Sequence, residues 1–103
     1  MNDLALGTVV AERHFESRNE AGEEHEIIVR IGIPVHDPCP DGDWYCPYQI
    51  KGFPNSIVSV AFGIDSLQAL LLALGKVHAD LVFCQRINKL HLTWLEQDNL
   101  GFP

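Results

Sequence analysis

Positive charge is the scarcest property of this chain. Its 103 residues hold 7 lysines and arginines against 14 aspartates and glutamates, a formal charge of −7. A nucleic-acid binder displaces counterions from phosphate with basic side chains, so this balance argues against DNA and RNA as partners. An anionic membrane surface is disfavoured by the same repulsion. Cysteine is scarce too, with three residues and no Cys-x2-Cys pair. An odd, unpaired set suits a reducing compartment rather than a disulfide framework, so the cytoplasm is the expected location. No uninterrupted apolar stretch approaches the ~20 residues of a bilayer span. No signal-peptide pattern precedes Arg13, the first basic residue. A Gly-rich phosphate loop is missing as well, because Gly22, Gly32, Gly42 and Gly52 stand singly.

What remains is ordinary globular material, 47% apolar and 20% charged. A chain of this size buries roughly 65% of its unfolded surface and is expected to form one domain, residues 1–103, without metal or disulfide staples. Residues 8–15 are rich in β-branched and aromatic types, and a polar turn follows at 17–22. In the next run Ile27, Val29, Ile31, Ile33 and Val35 alternate with mostly polar neighbours, the period-two pattern of a half-buried strand. The two runs predict an antiparallel hairpin. Trp44, Cys46, Tyr48 and Ile50 mark a third strand, in which Pro47 cannot donate to a ladder. Val58, Val60, Phe62 and Ile64 alternate with Ser59, Ala61 and Gly63 in a fourth.

Asp65 and Gln68 form a capping pair opening a helix that runs to Asp80 or beyond. Its expected buried stripe is Leu67, Leu70, Leu71, Leu74, Val77, His78 and Leu81. Gly75 costs a helix about 1 kcal/mol relative to alanine, and close packing on another backbone would account for it. Leu90, Leu92 and Trp94 predict a short last strand at a sheet edge. The fold class is therefore α+β: an antiparallel sheet of four or five strands in β-β-β-β-α-β order, packed on one long helix.

Site chemistry is sparse. His36, Cys39 and Cys46 lack the paired spacing and the fourth ligand of a zinc site. Asp37, Asp41 and Asp43 around Gly42 do not follow a calcium loop and read as turn residues. Cys39 or Cys84 could act as a nucleophile only if a histidine such as His14, His36 or His91 came close in space. No metal, cofactor or catalytic residue is assigned.

Partner chemistry is more legible. Glu16, Glu20, Glu23 and Glu24 gather around the first hairpin, with Glu26 beside them, either as a solvated face or as a docking surface for a basic protein. Asp41, Asp43, Tyr45 and Trp94 complete the candidate interaction surface, the aromatics being either anchors or core filling. The outer helix face at Leu72 calls for cover by Leu100 and Phe102 of the tail or by a second copy, leaving monomer and homodimer both open.

The segments 43–50 (Asp-Trp-x-Cys-Pro-Tyr-x-Ile) and 63–70 (Gly-Ile-Asp-Ser-Leu-Gln-Ala-Leu), with the ending Leu100-Gly101-Phe102-Pro103, resemble a family of small bacterial domains of unknown function. The resemblance covers roughly residues 25–103 and implies a compact bacterial protein with the strand-then-helix order just derived. It brings no catalytic residues. The leading functional expectation is a non-enzymatic cytoplasmic protein that binds another protein, for example an immunity-type or antitoxin-like inhibitor of a basic toxin. A small-ligand binder or enzyme using a cleft between the 38–43 loop and the helix start at Asp65 is the alternative, and a structural homo-oligomer is the second.

Overall fold

The computed structural model describes residues 5–38, 42–54 and 58–103. Strands β1 (Val9–Arg18) and β2 (Glu24–Gly32) form the expected hairpin, with a register shift near its start that leaves Val10 outside the pairing. Its turn is closed by Asn19, whose carbonyl accepts the Gly22 N–H and whose side-chain oxygen accepts the Glu23 N–H. The apolar run predicted to continue to Val35 breaks at Ile33 and Pro34, because proline cannot supply a ladder donor. A two-residue strand β3 (Val35–His36) resumes after it.

Strand β4 (Trp44–Lys51) lies inside the sheet, paired with β5 (Val58–Gly63) on one side and with β2 and then β3 along the other. Cys46 and Pro47 fall in the gap between the β2 and β3 pairings, so the missing Pro47 donor breaks no ladder there. The helix α1 (Ser66–Asn88) follows, and β6 (His91–Thr93) returns to the edge beside β1. Among the described residues all pairings are antiparallel, and six strands with one helix make an α+β fold.

The helix opens as its residues demand. Asp65 Oδ1 accepts the Gln68 N–H at 2.7 Å, and Gln68 Oε1 accepts the Ile64 N–H at 2.7 Å. It runs two turns past Asp80 and closes on Lys89 in the left-handed region (φ 53°). The Gln85 side chain then accepts the Leu92 N–H, which ties the helix end to β6.

Which faces meet departs from expectation at two places, for one reason. The helix buries Ala69, Ala73, Val77 and Leu81 and leaves Leu67, Leu71 and Leu72 exposed. On β5 the buried residues are Ala61 and Gly63, while Phe62 is 60% exposed. Helix and strand approach so closely that a Cβ on Gly63 would stand 2.9 Å from the Ala69 Cα. Only small side chains fit such a seam, so the larger apolar set on each element turns outward. The helix covers mainly β4 and β5. Beyond it Phe102 stacks between Phe15 (6.1 Å) and His78 (5.3 Å), and Leu100 is buried. The tail therefore covers the His78 flank of the helix rather than Leu72.

At 23 residues, with a mean hydropathy of 1.5 over its most apolar window, α1 is long and apolar enough to cross a bilayer. Counting uninterrupted apolar runs missed this, because Lys76, His78 and Asp80 punctuate the segment.

Candidate functional site

The sheet face away from α1 is where charge collects. Even-numbered positions of β1 and β2 point there, and the register sets Glu12 opposite Arg30, His14 opposite Ile28, Glu16 opposite Glu26 and Arg18 opposite Glu24. Two of these rows neutralise themselves, and in a third His14 draws on the carboxylates of its neighbours. Arg18 is ion-paired with Glu24, and Arg30 Nε donates to Glu12 at 3.3 Å. His14 is held by both Glu12 (Nε2 to oxygen, 3.0 Å) and Glu26 (Nδ1 to oxygen, 2.9 Å).

This clamp shifts two groups. The Glu12 carboxylate, and after it that of Glu26, raises His14 above its ordinary value, while His14 and then Arg30 lower Glu12. A folded-state pKa above the unfolded one makes the clamp stabilising below about pH 6.5, and that contribution fades as pH rises through the folded value. In an NMR titration His14 should titrate above 6.5, and Glu12→Gln should bring it down; a His14 midpoint at or below 6.5 would show the clamp is not populated.

The fourth row does not neutralise itself. Glu16 faces Glu26 across the ladder, a like-charge pairing that disfavours the sheet. Its other neighbour is Thr93 of β6, and among the described residues no hydrogen bond reaches its carboxylate. The row forms the floor of a shallow groove of about 510 Å³, which His14, Thr93, Leu95 and Glu96 complete. A second depression of about 330 Å³ adjoins it, with Glu16, Glu24, His91 and Glu96 in its lining.

The wall of the groove is a two-residue turn between Trp94 and Gln97, which exchange backbone hydrogen bonds of 2.9 and 3.0 Å. Its central residues, Leu95 (φ 52°) and Glu96 (φ 64°), occupy a left-handed conformation that asparagine and glycine normally fill. The misfit costs roughly 1–2 kcal/mol per residue. Strain of this kind concentrates at functional positions. Leu95 is 71% exposed at the tip, and Glu96 adds a further carboxylate to the groove.

The sequence-predicted residues divide between two ends of the sheet. Glu16 and Glu24 line the two depressions, and Glu20 and Glu23 sit at the hairpin turn beside them. Asp43 and Tyr45 lie at the far end, where Tyr45 packs near Phe62 on the same open face. Asp41 and Cys39 fall outside the described residues. Trp94 points to the opposite face, half-buried beneath the Arg13 guanidinium at 3.8 Å. Glu96 and Leu95 were missed because Leu-Glu carries no turn signature, and only a β6 hairpin pairing could have revealed them.

Elsewhere the chemistry is closed. Tyr48 is buried and its hydroxyl donates to Asp80 Oδ2 at 2.6 Å, next to a cavity of about 170 Å³ lined also by Ser59, Phe83 and Cys84. Burial, then the bond to Asp80, pushes the phenol up, so it stays a proton donor. Burial, then the Asp80 charge, likewise raises the Cys84 thiol, the reverse of what a nucleophile requires. Cys46 is buried against the Gly32 carbonyl. The pairing of Trp44 with Gly63 brings Asp43 towards the helix start, but residues 39–41 of that cleft are not described and Asp65 already caps Gln68. Among the described residues no group of three His, Cys, Asp or Glu side chains could hold a metal ion.

An antiparallel sheet under one helix, with an acidic groove on its open face, defines a small α+β domain. A family model, "Domain of unknown function (DUF6968)", matches residues 11–103, and the chain belongs to that family. No curated protein and no solved structure matches it.

Proposed function

We propose that this is a cytoplasmic bacterial protein-binding domain whose open sheet face receives a basic segment of a partner protein. The observation that carries the reading is the Glu16–Glu26 row with Glu96 in the same groove, like charges facing across the ladder although His14 already holds Glu26. A lysine or arginine laid along the groove would relieve that repulsion, with Leu95 as an apolar contact beside it. Inhibition of a basic toxin is one form such binding could take.

Because these charges are exposed, their attraction acts through a screened medium, and binding should weaken steeply as salt rises. Calorimetric titration with an arginine-rich peptide, against a neutral peptide of equal length, tests the idea. Binding should favour the basic peptide, and a Glu16→Gln, Glu96→Gln double variant should lose about tenfold in affinity, or ~1.4 kcal/mol. Equal affinity for both peptides, or none for either, would remove the acidic groove as the binding surface.

A further inference from the structure

The helix carries a second apolar face that the described residues leave open. Leu72, Gly75, Ala79 and Val82 repeat at spacings of three, four and three, on the side of α1 away from the sheet-facing Ala69, Ala73, Val77 and Leu81. Leu71 and Phe83 flank that seam, and the four large side chains on this face are 43 to 59% exposed. Gly75, Ala79, Val82 and Phe83 line a shallow notch there of about 430 Å³. Gly75 itself has no internal explanation, since a Cβ added to it would meet nothing within 4 Å. The close packing expected to account for this glycine is not supplied by the described chain.

From these features we infer that the outer face of α1 docks on the same face of a second copy, as an antiparallel pair centred midway between Gly75 and Ala79. The seam is self-complementary about that point. A two-fold axis there sets Gly75 against Ala79 of the second copy, so the backbones approach where side chains are smallest, and Leu72 against Val82. Further out it sets Gln68 against Arg86, and at the helix ends Asp65 against Lys89 of the second copy. Hydrophobic layers thus meet hydrophobic layers, and opposite charges meet at both ends.

Strand pairing is the weaker route to a dimer. Lys76 reaches from the helix to donate to the Val60 carbonyl of the outermost strand β5 at 2.6 Å, a lysine guard on a sheet edge. Area sets the strength of the helix contact. Four large side chains, each about half exposed, are all that each copy offers. Such a contact is smaller than the ~1,200–2,000 Å² of standard interfaces, so the dimer is expected to be weak and reversible.

Sedimentation equilibrium on the full chain from about 10 μM to about 1 mM should show a monomer of 11.5 kDa passing reversibly into a dimer. Gly75→Leu should weaken the dimer at least tenfold while the monomer keeps its circular dichroism and melts no lower than wild type, because the position is open and leucine favours helix over glycine. Lys89→Glu should also weaken it, and less so at high salt. A monomer at every concentration, or a dimer indifferent to Gly75→Leu, overturns the proposal. So does capture of the wild-type helix face by neutral phosphatidylcholine vesicles in place of self-association.

Discussion

Gly63→Val should lower the stability of the folded domain by about 3 kcal/mol or more, a large part of the ~5–15 kcal/mol that holds a typical domain together. The cause is a collision with backbone. A side chain at Gly63 would meet the Ala69 N and Cα and the Gln68 carbonyl carbon at the first turn of α1, none of which can rotate away. The helix must lift, and lifting it opens the Ala69–Ala73 contact and the Asp65 cap together. Urea denaturation would read the loss as a lower midpoint. A Gly63→Val protein within 0.5 kcal/mol of wild type would mean that helix and strand are not so close.

Arg13→Ala is the second large effect, expected at about 2–3 kcal/mol. Arg13 projects to the helix side of β1, an unusual place for a guanidinium. There its Nη1 donates to the Leu100 carbonyl at 3.0 Å and the Gly101 carbonyl at 3.1 Å, with the ring of Trp94 beneath it. Gly101 adopts φ 79°, and a Cβ there would lie 2.5 Å from the Trp94 ring, so the tail is shaped to this clasp. Lysine should not rescue the variant, since one ammonium cannot stack on the ring while its donors reach both carbonyls. Denaturation, together with earlier cleavage of the tail by carboxypeptidase, would measure the change. Wild-type stability in Arg13→Ala would show that the tail is held by Leu100 and Phe102 alone.

What the sequence made legible was local. The alternation of Ile27, Val29 and Ile31 gave β2 its inward face, and Asp65 with Gln68 marked the helix start, because both signals lie within a few residues of their effect. The facing of β5 and α1 was not legible. Pattern reading sends the largest apolar residues inward, whereas the separation of two packed elements depends on a pair of positions, here Gly63 and Ala69, from different elements. That the helix reaches Asp80 or beyond was legible, but nothing in the sequence pairs Asp80 with Tyr48, 32 residues away. In the groove, Glu16 and Glu24 could be read as charges on an alternating strand. Glu96 could not, since it owes its place to a strained turn that no residue type announces.

The helix rests chiefly on the two strands that come just before it, so residues 44–88 hold a hairpin and its lid in one unbroken segment. Contacts between near neighbours in the chain cost little loop-closure entropy, whereas β6 must find β1 across the long stretch of chain that separates Arg18 from His91. This architecture places the hairpin and lid early in the order of assembly and the final strand last. Newly made chains would therefore expose the acidic row on an unfinished edge until β6 has been made and has joined β1.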